Sequence, residues 1–305
     1  MNEKVSQASI SRSACLDIPR PGGDLRLFVA LPEAPPPPEG WPVLWVLDGN
    51  RTFPLALWSA RAQALRPRAT GVVPALVVAI GYADEGRLRA LRLRDLTPPA
   101  PPDRLRPRPS GEPWTETGRA PELLDLIRAR LMPMVAARYH VNPARQVLFG
   151  HSLGGLFALY TAFRAPELFH GVIASSPSIW FGERIVLDHA EGYAGRLAGV
   201  GRSRDLVLSV GALEQKVAQE RAATLGPRYA DWAEGNRMIE NVAELAARLA
   251  PVPGLDLHHF LLPDENHATA PAAALTRGLR IVLRPDAPGL APLTPADPLT
   301  TRPDC

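Results

Sequence analysis

Val147-Leu148-Phe149-Gly150-His151-Ser152-Leu153-Gly154-Gly155-Leu156-Phe157-Ala158-Leu159-Tyr160 is the stretch that decides how this chain is read. An apolar β-type run leads into Gly-x-Ser-x-Gly and then into a helical pattern over residues 153–163. A serine set between strand and helix at this spacing is a nucleophile elbow. The turn is so sharp that its serine takes a strained backbone conformation. Glycines two before and two after keep side chains from colliding there. The helix that follows aims its first N–H groups and the positive end of its dipole at the serine, so Leu153 N–H is the expected first oxyanion donor. Adjacent residues point apart at such a turn, so His151 is expected to be structural or to face substrate.

Working outward, β-rich apolar runs at residues 25–31, 43–47, 75–80, 146–149, 171–174, 206–210 and 255–262 alternate with helical patterns. Alternation of this kind predicts a mostly parallel central sheet flanked by helices, the α/β-hydrolase fold. Residues 122–139 read as one helix that Pro133 kinks, and Met238–Leu249 as another. Residues 84–120 and 181–204 read as long loops near the C-terminal ends of strands, where ligands bind in such sheets. The expected organisation is an N-terminal extension over 1–17, a hydrolase domain over 18–284 and a Pro-rich tail over 285–305.

An elbow serine needs a base and an acid, in the chain order serine, acid, histidine. His258 and His259 fall inside the last strand, where they face opposite sides of the sheet. His267 follows that strand in Pro263-Asp264-Glu265-Asn266-His267, at the sheet edge where a base must lie. Glu214 lies just past the run at 206–210 and precedes His267, so it is the candidate acid. An ion pair to Lys216 or a nearby Arg is its alternative role, and Asp264 or a Ser–His dyad without an acid are rivals. Asp205 stands at the wrong end of its strand. The second oxyanion donor is expected from Leu47-Asp48-Gly49-Asn50-Arg51, as Gly49 or Asn50 N–H, although Asp-Gly is also a common tight turn.

Composition limits what else the chain does. With 46% hydrophobic residues it can form a full core. No apolar run reaches the ~18–20 residues needed to span a bilayer, and no apolar leader is visible in residues 1–20, so a cytoplasmic protein is expected. Cys15 and Cys305 stand at opposite ends, which argues against a disulfide framework or a thiolate metal site. The net charge is +3, nearly all of the basic side is arginine, and it is dispersed, so nucleic acid is not an expected partner. A mild basic bias suits an anionic small molecule.

Four stretches then occur in order: Val43-Leu44-Trp45-Val46-Leu47-Asp48-Gly49-Asn50, Arg94-Asp95-Leu96-Thr97-Pro98, the elbow itself, and Ala174-Ser175-Ser176-Pro177-Ser178-Ile179-Trp180. With the late His267 they resemble the putative esterase family that includes esterase D, and within it the trilactone siderophore esterases. The resemblance covers residues 18–283. It implies hydrolysis of a catecholate macrolactone such as enterobactin, salmochelin or bacillibactin, often as the ferric complex, by an acyl-enzyme route that needs no resident cofactor. A ferric tris-catecholate is a bulky trianion. Arg51 is then the first candidate to contact it and Trp180 an aromatic wall, while Arg94 is expected to pair with Asp95. General carboxylesterase, thioesterase or acyltransferase activity is the alternative on the same scaffold. The Pro- and Arg-rich stretch 98–119 departs from the family pattern, at the expected substrate entrance.

Overall fold

The computed structural model describes residues 9–285, without the side chains of residues 216–219, 221 and 222. Its sheet contains β1 (Ser13–Ile18), β2 (Leu25–Ala30), β3 (Trp41–Val46), β4 (Leu76–Tyr82), β5 (Val141–His151), β6 (Gly171–Ser175), β7 (Arg204–Gly211) and β8 (Leu255–Leu262). The strand order is β1-β2-β4-β3-β5-β6-β7-β8. β1 and β2 run antiparallel to their neighbours, and the pairings from β4 through β8 are parallel. The mixed α/β architecture with a mostly parallel sheet is the one the sequence predicts.

The helices are α1 (Gly49–Ala64), α2 (Pro67–Thr70), α3 (Leu88–Leu96), α4 (Ala120–Leu126), α5 (Met132–Arg138), α6 (Leu153–Arg164), α7 (Phe181–Arg184), α8 (Val186–His189), α9 (Tyr193–Ala198), α10 (Glu214–Leu225), α11 (Pro227–Gly235), α12 (Met238–Leu249) and α13 (Ala270–Val282). Strand side chains alternate between two faces. Leu44 and Val46 join Phe53 and Leu57 of α1 and Leu275 and Leu279 of α13 on one side. Val43 and Trp45 join Leu156 and Phe157 of α6 and Val242 and Leu245 of α12 on the other. Each central strand is therefore apolar on both faces, as a sheet covered by helices on both sides requires.

The structure corrects several local expectations. Residues 13–17, read as part of an extension, join Ile18 to form β1, which pairs with β2 from Ser13↔Ala30 to Ile18↔Leu25. The stretch 84–120 contains α3, and 181–204 contains α7, α8 and α9. Alternating Arg and Leu hid α3, whose buried face includes Leu91, Arg94, Asp95 and Leu96. Two of those are charged, so a hydrophobic pattern could not reveal it. The helix read over 122–139 breaks into α4, a π-helical turn at Ile127–Leu131, and α5 with Pro133 in its first turn. A proline inside a helix lacks an N–H and crowds the carbonyl four residues back, and a wider turn accommodates both. Of the expected tail 285–305, all but Pro285 lies outside the described residues, as does Cys305. Cys15 is a free, exposed thiol. Among the described residues no helix is long and apolar enough to cross a membrane.

Candidate active site

β5 ends in the elbow. Ser152 has φ 59° and ψ −118°, a conformation open to an L-residue only when its surroundings enforce it. The serine N–H donates to Ser175 O at 3.0 Å, and its carbonyl accepts from Ser178 N–H at 3.0 Å and from Leu156 N–H at 2.9 Å. A Cβ on Gly150 would lie 2.1 Å from Gly154 O, so the strand side of the turn requires glycine. On the helix side Gly155, not Gly154, is the tight position. Its Cβ would sit 2.9 Å from both Ser175 O and Pro177 Cα, whereas one on Gly154 finds its first neighbour at 3.4 Å.

Parallel pairing carries the other groups to the same sheet edge. Ser175 lies opposite His151 on one side and Ser209 on the other, and Gly211 lies opposite Leu262. Glu214 is the first residue of α10, three beyond the end of β7. His267 follows β8 in a loop held close to that end of the sheet, with Leu213 N–H donating to Glu265 O at 2.9 Å.

The side chains meet there. His267 Nε2 is 3.0 Å from Ser152 Oγ, and His267 Nδ1 is 2.9 Å from Glu214 Oε2. Glu214 is buried. Its Oε1 accepts from the Ser176 hydroxyl and, at 3.0 Å, from Gly211 N–H. A carboxylate so supplied with donors accepts the Nδ1 proton of His267, which leaves Nε2 free to accept from the serine. Asp264, the rival acid, has no side-chain bond to His267, and the alternative pairing with Lys216 lies outside the described side chains. Asp205 sits at the opposite end of β7, where burial pushes its carboxyl up to about 6.

His151 packs its ring against that of His267, with centroids 4.6 Å apart, and its Nδ1 lies 3.1 Å from Ser175 Oγ. Burial first, and then the neighbouring His267 and Arg92, hold its pKa well below the usual value, so it stays neutral. Ser176 and Ser178 escaped the sequence reading as site residues. Ser178 Oγ is 3.4 Å from Ser152 Oγ. The signal was present in the Ser-Ser-Pro-Ser run after β6, at the sheet edge that also carries the elbow.

The expected second oxyanion loop lies beside the elbow. Leu47 N–H donates to Phe149 O at 3.0 Å, and Asp48, with φ 57°, turns the chain into α1. Gly49 and Asn50 are the first two residues of α1 and Leu153 is the first of α6. N–H groups at those positions have no acceptor within their own helix. Asn50 is clamped to β4, accepting from Tyr82 N–H at 2.8 Å and donating to Tyr82 O at 3.0 Å. Asp48 forms a two-pronged ion pair with Arg92 at 2.8 and 2.9 Å.

The cleft at Ser152 measures about 390 Å³ and is lined by Trp180, Gln215, Tyr229, Trp232, Asn236 and Met238 together with Asn266 and His267. Trp180 therefore lies where the sequence predicts. Arg51 does not. It is exposed, its helix buries Phe53, Ala56, Leu57 and Ala60 instead, and it is absent from the cleft wall. Arg94 pairs with Asp95 as expected, at 2.7 Å, and also donates to Gly22 O at 2.7 Å. The stretch 98–119 packs behind the wall. Trp114 stands edge-on to Phe181 at 5.7 Å, and Arg106 donates to Asp231 O on α11 at 3.1 Å. Among the described residues, Asp205, Asp256 and His258 could jointly face a metal ion, but they lie at the far ends of β7 and β8 and Arg284 already pairs with both aspartates, at 3.0 and 3.2 Å.

Residues 18–225 match the family described as Putative esterase. The chain is 33% identical over 267 residues to the ferri-bacillibactin esterase BesA of Bacillus subtilis (strain 168), covering 87% of this chain and 86% of that protein. It is 34% identical over 251 residues to a siderophore enterobactin esterase of Emericella nidulans, covering 77% and 80% of the two chains. Among solved structures, the BES protein from Bacillus cereus superposes with a TM-score of 0.78 at 29% identity, over 92% of this chain and 98% of that one.

Proposed function

The chain belongs to the Putative esterase family and is a carboxylic ester hydrolase, and from that premise we propose that it opens the ester bonds of a catecholate trilactone siderophore through an acyl-enzyme on Ser152. The observation that carries this reading is the unbroken chain Ser152–His267–Glu214, with links of 3.0 and 2.9 Å.

His267 Nε2 takes the proton of Ser152 Oγ as that oxygen attacks the lactone carbonyl carbon. Glu214 holds the imidazole in the required tautomer and stabilises the imidazolium that forms. Leu153 N–H and an N–H of Gly49 or Asn50 receive the oxyanion, where aimed donors are worth about 3–4 kcal/mol each. The intermediate collapses, the C–O ester bond breaks, and His267 Nε2 gives its proton to the departing alkoxide. Water then loses a proton to His267, attacks the acyl-enzyme and releases the carboxylic acid, and the proton returns to Ser152. Any iron enters and leaves as part of the substrate.

The substrate reading rests on the relatives, which are named for ferri-bacillibactin and enterobactin, and on a broad aromatic cleft wall that suits catechol rings. The test compares ferric and iron-free enterobactin and bacillibactin with p-nitrophenyl esters and acyl thioesters, following products by mass spectrometry. Trilactone opening with kcat/KM well above that of the simple esters is expected. Turnover of the simple esters alone would overturn the siderophore assignment.

A further inference from the structure

Helix α1 buries Phe53, Ala56, Leu57 and Ala60 against the sheet, and it turns a second apolar line to the outside. Pro54, Trp58, Ala62 and its C-terminal cap Leu65 are exposed and follow one another at the spacing of a single helix face. Trp58 is 56% exposed and Leu65 71%. A surface helix ordinarily shows water its polar side, so this outward line is unusual. A groove of about 320 Å³ opens beside it, lined by Trp58 and Leu65 together with Pro32, Pro74 and Ala75.

The charge on this face has one dominant sign. Residues 49–70 contain Arg51, Arg61, Arg66 and Arg68 and no Asp, Glu or Lys. Glu33 is the one acidic side chain that lines the groove. Elsewhere arginines such as Arg20, Arg26, Arg92 and Arg94 pair with carboxylates. Among the described residues none of the four on α1 and α2 has an ion-pair partner. Arg51, Arg66 and Arg68 are exposed. Arg61 lies over the Trp58 ring, 5.8 Å from its centroid, and donates to Ser11 O at 2.8 Å and Leu31 O at 3.1 Å.

This combination fits one kind of partner. An indole and a leucine enter the boundary between lipid headgroups and acyl chains, and arginines meet the phosphates above it. A second copy is disfavoured, because a two-fold contact would set this face against itself, arginine on arginine. A folded protein must match protruding side chains in shape over about 800 Å² of its surface, whereas a fluid lipid surface adapts to them. We infer that the outer face of α1 is a docking surface for an anionic lipid bilayer, on which the protein lies without crossing it. Trp58 and Leu65 enter the headgroup boundary, and the four arginines pair with lipid phosphates. No α1 side chain lines the cleft at Ser152, so the docked protein keeps that cleft open. The inference is independent of which ester Ser152 cleaves.

Sedimentation of the whole chain with sucrose-loaded vesicles tests it. Vesicles of phosphatidylcholine alone are compared with vesicles that also contain phosphatidylglycerol, across a lipid titration. Binding is expected only with phosphatidylglycerol, and it should be lost at about 1 M salt, where charges are screened within ~3 Å. The double variant Arg66→Gln, Arg68→Gln should bind roughly twentyfold more weakly, at about fivefold for each arginine near the surface. The double variant Trp58→Ser, Leu65→Ser should bind about tenfold more weakly or worse. All four side chains are exposed, so the Tm and the hydrolysis of p-nitrophenyl acetate should match the wild type in both. Lipids brominated in their acyl chains should quench the wild-type fluorescence, and Trp58→Phe should lose that quenching while still binding. Equal binding to the two kinds of vesicle, or none to either, overturns the inference and needs no variant. So does anionic binding that both double variants retain in full. A dimer that forms without lipid and that Trp58→Ser, Leu65→Ser dissolves would give the face to a second copy and overturn the assignment to lipid.

Discussion

Ser176 donates its hydroxyl to Oε1 of Glu214, the carboxylate oxygen turned away from His267. Ser176 is fully buried and has φ 42°, and its own N–H donates to Ser209 O at 2.7 Å. In the proposed mechanism it acts as a positioning residue, through the orientation of Glu214. Ser176→Gly removes the hydroxyl and suits the left-handed backbone, so folding should survive, with a Tm within a few degrees of wild type. The lost charge-assisted bond should lower kcat by about tenfold with little change in KM. Steady-state kinetics beside a thermal melt separate the two effects. A fall in Tm that matched the fall in kcat would make Ser176 merely structural.

For the triad itself, Ser152→Ala should remove ester cleavage down to a residual rate, and Glu214→Gln should lower kcat by about 10³–10⁴, the cost of losing the partner that fixes the histidine tautomer. Near wild-type turnover in Glu214→Gln would favour a Ser–His dyad.

Asp48 and Arg92 form a largely buried ion pair next to the elbow, with side chains 11% and 21% exposed. Removing one partner strands the other. Arg92→Leu should destabilise by about 2–4 kcal/mol, and the double variant Asp48→Asn, Arg92→Leu by less. Urea unfolding of the two single variants and the double closes the cycle. A double variant as unstable as the sum of the singles would dismiss the coupling.

Acid should weaken the fold in part through His151. Its pKa in the folded protein lies well below the unfolded value near 6.5, because of burial, His267 and Arg92. Its neutral form contributes stability that is present above 6.5 and is lost as the pH falls toward the folded pKa, because the unfolded chain takes up the proton first. His170, His189 and His259 are shifted in the same direction. Asp205 acts in the opposite sense. Its carboxyl is raised from 3.8 to about 6, so its contribution is greatest below 3.8 and is lost as the pH rises through about 6. His151→Gln should therefore lose less stability than the wild type between about pH 6.5 and pH 5, read as urea midpoints at each pH. Equal slopes would show that His151 does not contribute.

Arg106 braces the cleft from behind. Its guanidinium lies against Gly235, where a Cβ would meet it at 2.1 Å, and it donates to Asp231 O. Arg106→Ala should raise amide exchange across α11 and raise KM for a bulky trilactone more than for p-nitrophenyl acetate. Exchange confined to the substituted loop would separate the brace from the cleft.

The reaction centre was legible because each of its parts stands at a strand end. Ser152 follows an apolar run within a glycine pattern, Glu214 follows the run at 206–210, and His267 follows the run at 255–262. The recognition wall was not legible in the same way. Trp232 and Asn236 come from a polar stretch without strong periodicity, and their place in the cleft beside Trp180 is decided by how α11 folds back against α10. Arg51 misled because its place beside Gly49–Asn50 is close in sequence, while the packing of α1 turns it outward. The helix α3 stayed hidden because its buried face includes the Arg94–Asp95 pair, whose burial depends on distant partners such as Gly22.

The two walls of the cleft have separate mechanical origins. Serine, histidine and glutamate are fixed by the register of four neighbouring parallel strands, whereas Tyr229, Trp232 and Asn236 hang from a segment inserted between β7 and β8. Substitutions in that insertion can retune what is admitted without disturbing the proton relay, so drift in substrate choice within this lineage should accumulate between residues 226 and 238 and leave the strand ends alone.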